Sequence, residues 1–170
     1  MGKGEKTMRK ILKTSLSILL FLPAAISAET LLPALEKLGY KGIYLGTQES
    51  EAMAYTKNLG CETAERGGRH FALCSKEGLS MSLSFHPLNH KLYYLFVIFH
   101  GLGEGGRELL LERLTQKYGK PTGELYGSIT WEFKDGKRID FVKDDTVVYQ
   151  DTQTQKDAER AEAKRRLGDL

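Results

Sequence analysis

A Gly67-Gly68 dipeptide lies midway between Cys61 and Cys74, the two cysteines of the chain. Adjacent glycines accept positive φ at both central positions, as a two-residue β-hairpin turn that matches strand twist demands. With these glycines as the loop, Arg66 faces Arg69, Glu65 faces His70, Ala64 faces Phe71 and Cys61 faces Cys74. Outward from the turn, pairs that exchange backbone hydrogen bonds alternate with pairs that do not, and the cysteines fall on a pair of the second kind. Opposed Cα atoms come closest there, at about 4.5 Å, within reach of a disulfide. The spacing predicts a cross-strand bridge between Cys61 and Cys74. A redox-active pair and two metal ligands are the rival readings; neither C-x-x-C spacing nor a second cysteine pair supports them.

A disulfide belongs to an oxidising compartment, and the N-terminus has the form of an export signal. Lys3, Lys6, Arg9, Lys10 and Lys13 precede an apolar run from Ile18 to Ile26, broken at Pro23, and then Ser27-Ala28. A basic start, an apolar middle and small residues at the cut are the three parts of a secretory leader, so residues 1–28 are expected to be removed after Ala28. The alternative is an uncleaved anchor, but the run falls short of the ~20 residues that span a bilayer. No cysteine near the cut could carry a lipid. A mature chain from Glu29 to Leu170, in a bacterial periplasm and without a stable membrane anchor, is the expectation. The leader holds five basic residues against Glu5, so its loss takes Lys and Arg from 25 to 20, Asp and Glu from 22 to 21, and the formal charge from +3 to −1. A nucleic-acid partner thereby loses its main electrostatic support.

Residues 29–151 read as an α+β domain built from two rounds of helix followed by antiparallel strands, with helices on one face of the sheet. The first round starts with a helix from Gln48 to Leu59, capped by Thr47 and stopped by Gly60. Strands follow at 61–66, 69–75, 79–85 and 91–100. Leu79, Met81, Leu83 and Phe85 alternate with Ser80, Ser82 and Ser84, as a strand with one buried face requires. Leu92 to Phe99 is apolar on both faces, which predicts a central strand or part of a contact surface. The second round has a flexible Gly101–Gly106 connection, then a helix from Arg107 to Tyr118 with Leu110, Leu111, Leu114 and Tyr118 on one stripe. In the next hairpin, Ser128 to Val142, only a three-residue loop, Lys134-Asp135-Gly136, pairs Trp131 with Ile139 and Ile129 with Phe141. Thr146 to Gln150 forms the last strand. Residues 152–170 form a charged tail with a helix at Lys156–Leu167, rich in alanines too small to bury much area; it is either solvated or ordered on a partner.

Tyr40-Lys41-Gly42-Ile43-Tyr44-Leu45-Gly46 leading into a short helix, and Tyr118-Gly119-Lys120-Pro121-Thr122 followed by Trp131 and the Asp135-Gly136 hairpin, resemble small exported bacterial α+β proteins. That class includes the outer-membrane assembly lipoproteins of the SmpA/OmlA type and the β-lactamase-inhibitor-like proteins. The resemblance spans Tyr40 to Gln150 and implies protein binding on a sheet or loop surface, with no catalytic residues to carry over. The chain departs from the lipoproteins in lacking a lipidated cysteine.

Two classes of function stay open. The first is a non-catalytic module, an inhibitor or an envelope assembly factor, that binds another envelope or periplasmic protein without a cofactor. Arg66 and Arg69, like charges opposed beside the turn, are its candidate contacts to an acidic partner, with His70 next to them. The second is a hydrolase or metal-dependent enzyme with a site drawn from His86, His90 and Glu104. His86-x3-His90 can offer two zinc ligands, although a turn does not aim both rings at one point as a helix would. Gly101–Gly106 invites a phosphate-cradle reading, yet it meets neither dinucleotide nor Walker spacing, and Glu104 repels an anion. A small apolar ligand between helix and sheet is a third, weaker possibility.

Overall fold

The computed structural model describes residues 35 and 37–168; the leader expected at residues 1–28 and its expected cleavage site lie outside them. The chain runs β1 (Gly39–Tyr40), β2 (Ile43–Tyr44), α1 (Glu49–Asn58), β3 (Glu62–Arg66), β4 (Arg69–Cys74), a 3-10 turn (Ser75–Glu77), β5 (Leu79–Phe85), β6 (Leu92–Phe99), α2 (Gly103–Tyr118), β7 (Gly123–Leu125), β8 (Ser128–Glu132), β9 (Lys137–Val142), β10 (Thr146–Asp151) and α3 (Thr152–Gly168). The class is α+β, as the sequence predicts. β1 and β2 form a small ribbon, and the other eight strands form one antiparallel sheet in the order β3-β4-β5-β6-β10-β9-β8-β7. Each round of helix and strands supplies four neighbouring strands, and β6 joins β10 where the two halves meet.

The hairpin register is the one dictated by the turn: Arg66 pairs with Arg69, Glu65 with His70 and Ala64 with Phe71. Gly67 and Gly68 carry φ of 60° and 72°, the mirror-image turn that only glycine adopts at both positions without strain. Cys61 and Cys74 are disulfide-bonded with Cα atoms 4.1 Å apart. The second hairpin also follows its apolar register, Trp131 with Ile139 and Ile129 with Phe141. Its loop closes through the Gly136 N–H donating to the Phe133 carbonyl, with Gly136 at φ 78°.

One face of the sheet carries the core. Met81, Leu83, Leu95, Val97, Trp131, Ile139, Phe141, Val147 and Tyr149 are buried there together with Ala52 of α1 and Leu114 and Tyr118 of α2. The Tyr118 ring meets Phe133 and Tyr149 edge-on. Trp131 Nε1 donates to the carbonyl of Gly119 at 2.8 Å, tying the end of α2 to the sheet. Burial, with the Tyr118 phenol beside it, holds the Tyr149 hydroxyl well above its ordinary pKa.

Three helix starts differ from the sequence expectation, those of α1 and α3 because the chain meets a partner distant in sequence. Thr47 does not cap α1: the helix begins at Glu49, whose N–H donates to the His90 carbonyl, so the β5–β6 loop supplies the cap. α2 begins at Gly103, so most of the predicted flexible connection is helical; Gly106 passes close to Leu102, whose Cβ would lie 2.9 Å from an added Cβ. α3 begins at Thr152, four residues before the expected Lys156, because Asp151 accepts from the Thr154 N–H and hydroxyl, both at 2.9 Å, and Thr152 bonds to the Gly136 carbonyl. α3 packs against β6, β9 and β10 with Ala158 buried, so it is docked on the domain.

Candidate functional site

Alternation along the strands sends Arg66, Arg69, Phe71, Leu73, Ser80, Ser82, Ser84, Tyr94, Phe96 and Ile98 to the face opposite the core. This second face has two unlike halves. On β8 to β10, Asp140 is buried and accepts from the Thr130 hydroxyl at 2.8 Å, from Arg138 Nε at 2.9 Å and from Gln150 Nε2 at 3.2 Å. Its carboxylate lone pairs are satisfied, and this half is a closed polar network. On β4 to β6 the surface is apolar. Phe71 and Leu73 are 41% and 49% exposed, and together with half-buried Phe96 and Ile98 they line a shallow groove of about 390 Å³. The tyrosine ring of Tyr94 stacks on Phe96, and burial raises its hydroxyl pKa against the lowering effect of Arg69.

A larger cleft, about 670 Å³, opens at the end of the sheet between α3 and the β3–β4 and β5–β6 turns. It brings together Arg69, His70, His86 and His90, four residues singled out in the sequence, and adds one that was not, Glu49. The Glu49 carboxylate accepts from His70 Nε2 on one oxygen and His90 Nδ1 on the other, both at 2.9 Å. Each imidazole must therefore place an N–H on that side. Glu49 could not be matched to the histidines from sequence, since 21 and 41 positions separate them; its place in the first turn of a helix next to a polar loop was the sole signal. His86 instead turns inward and accepts from the Leu88 N–H at 3.2 Å. His100, at the far end of β6, shares a hydrogen bond with Ser80.

The sequence-derived sets are only partly assembled. Arg66 and Arg69 share the open face, whereas His70 points to the core face and edges against the Phe85 ring. Glu104 stands in the first turn of α2, which follows the C-terminal end of β6, while His86 and His90 precede its N-terminal end. An eight-residue strand is roughly 25 Å long, so Glu104 and the two histidines do not form one site. Among the described residues, no group of three or more His, Cys, Asp or Glu side chains is placed to hold a metal ion, and no helix is long and apolar enough to cross a membrane. Compared with protein-family models, curated proteins and solved structures, the chain matches none of them.

Proposed function

We propose that the chain is an exported, non-catalytic binding module that holds another envelope protein against the apolar half of its open sheet face. The observation that carries this is the exposure of Phe71 and Leu73 beside Phe96 and Ile98, with no element among the described residues laid over them. Large side chains left in water on a flat sheet cost free energy that a covering partner recovers, about 25 cal/mol for each Å² buried. Arg69 lies on the same face beside Phe71, so the fitting partner presents an apolar ridge flanked by a carboxylate. The disulfide across the β3–β4 hairpin and the resemblance to exported assembly and inhibitor proteins accord with an oxidising, periplasmic address.

The test is a photo-crosslinking residue placed at Leu73 in cells that export the chain, with Tyr126, 97% exposed on the β7–β8 turn, as the control position. A discrete adduct to one other envelope protein from position 73, missing from position 126 and abolished by Phe71→Asp, is the expected result. Equal labelling from both positions, or none from 73, overturns the proposal.

A further inference from the structure

We infer that the outer edge of β3 pairs with the same edge of a second copy, in antiparallel register about Ala64, joining two sheets into one. The inference rests on the strand edge and stands apart from the partner proposed for the sheet face.

β3 is the first strand of the sheet, bonded on one side only to β4, and all five of its residues are exposed. Exposed edges are ordinarily blunted by proline, charged side chains (lysine above all), a bulge or very short length. The opposite edge follows that rule, for β7 has three residues. β3 has no proline, lysine or bulge and is five residues long: its sequence is Glu62-Thr63-Ala64-Glu65-Arg66 in regular register with β4, and its charges are of both signs. The pair beside the two-residue turn exchanges both backbone bonds, so Arg66, Ala64 and Glu62 bond inward to β4, and the N–H and C=O groups of Thr63 and Glu65 point outward. A two-fold axis through Ala64 lets Thr63 of one copy and Glu65 of the other exchange both backbone bonds, twice by symmetry.

The side chains select that register. It sets Glu62 opposite Arg66 of the second copy on non-hydrogen-bonded pairs, where opposed side chains are closest. Neither side chain has an ion-pair partner within the described chain. Sliding by two residues one way opposes Glu65 to its own copy; sliding the other way loses both ion pairs. Parallel pairing in register stacks like charge on like. In the favoured arrangement the two Phe71 side chains lie on one face about 14 Å apart, three strand spacings, so the apolar grooves of both copies become neighbours. The bridge from Cys61 to Cys74 holds the edge in its pairing conformation before the copies meet.

The experiment is sedimentation equilibrium of the oxidised, leader-free chain over a concentration series. The wild type is expected to dimerise, more weakly as salt rises. Glu62→Arg and Arg66→Glu each oppose like charges and should raise the dissociation constant at least about tenfold, while the double swap restores the pairs and the affinity. Thr63→Pro, which removes an outward N–H and leaves the β4 bonds in place, should give a monomer with unchanged circular dichroism. A wild type monomeric up to roughly 0.5 mM, a concentration at which even small, weak interfaces associate, overturns the inference. So does a dimer indifferent to the charge swaps and to Thr63→Pro. The crosslink from Leu73 to a different protein is a separate readout, so either result can fail without the other.

Discussion

Reduction of the Cys61–Cys74 bridge perturbs the chain without deleting an atom from the core, which makes it cleaner than substituting a cysteine whose sulfur is buried. The bridge spans 13 positions. In the chain-entropy treatment, freeing a ring of that size restores conformations to the unfolded ensemble worth about 3 kcal/mol, or about 150-fold in the folding equilibrium constant. The full amount is lost only if the hairpin unfolds together with the domain. That coupling follows from the packing: Cys74 and Ala72 are buried in the core, and β4 pairs with β5 along six residues. β3, with five exposed residues and one neighbour, has no such hold. Urea titrations with and without reductant, followed by circular dichroism, should show the midpoint falling by about 1.5 M for a slope near 2 kcal/mol per M. In hydrogen exchange, β3 amides should lose protection first. A midpoint that moves by less than about 0.5 M means that the hairpin melts on its own and that the ring does not stabilise the whole domain.

Trp131 is the lone tryptophan and is fully buried, so native emission should be blue-shifted and should redden on unfolding in step with the loss of dichroism; Trp131→Phe, which strands the Gly119 carbonyl and leaves a void, should cost about 2–3 kcal/mol in urea melts. Hydrogen bonds from Arg165 and Arg166 lower the Glu162 carboxyl from 4.5 to about 2. A lowered folded-state pKa gives a contribution complete above the unfolded value and lost as pH falls toward 2. Carboxyl titration by NMR at low salt should find the Glu162 midpoint far below that of an ordinary glutamate, rising in 1 M salt as the Debye length shrinks to about 3 Å; an ordinary midpoint at low salt means the pairs do not form in solution.

The features legible in the sequence are those set by local geometry. Gly67-Gly68 imposes a turn, the turn imposes a register, and the register brings the cysteines together; Gly136 and the apolar residues around it do the same for the second hairpin. The central place of β6 follows from having apolar residues on both faces. The parts that could not be read depend on groups far apart in the chain. The His90 carbonyl starts α1, Asp151 and Gly136 start α3, and Glu49 gathers two histidines from different strands and loops. His86, His90 and Glu104 looked equally eligible as polar groups near loops, and only the direction of β6 separates them. α3 was hard to place because a helix of alanines and charges has no broad apolar stripe; it docks through the buried Ala158 and its backbone anchor at Gly136.

The seat of β10 between β6 and β9 has a consequence for how the chain is made. Leu92–Phe99, the greasiest segment of the sheet, stays open along one flank until residues 146–151 arrive to seal it. A nascent polypeptide halted anywhere short of Thr146 presents that flank to whatever is nearby, a chaperone or another unfinished copy. Closure comes late, since the step that locks the domain waits for nearly the whole length of the chain.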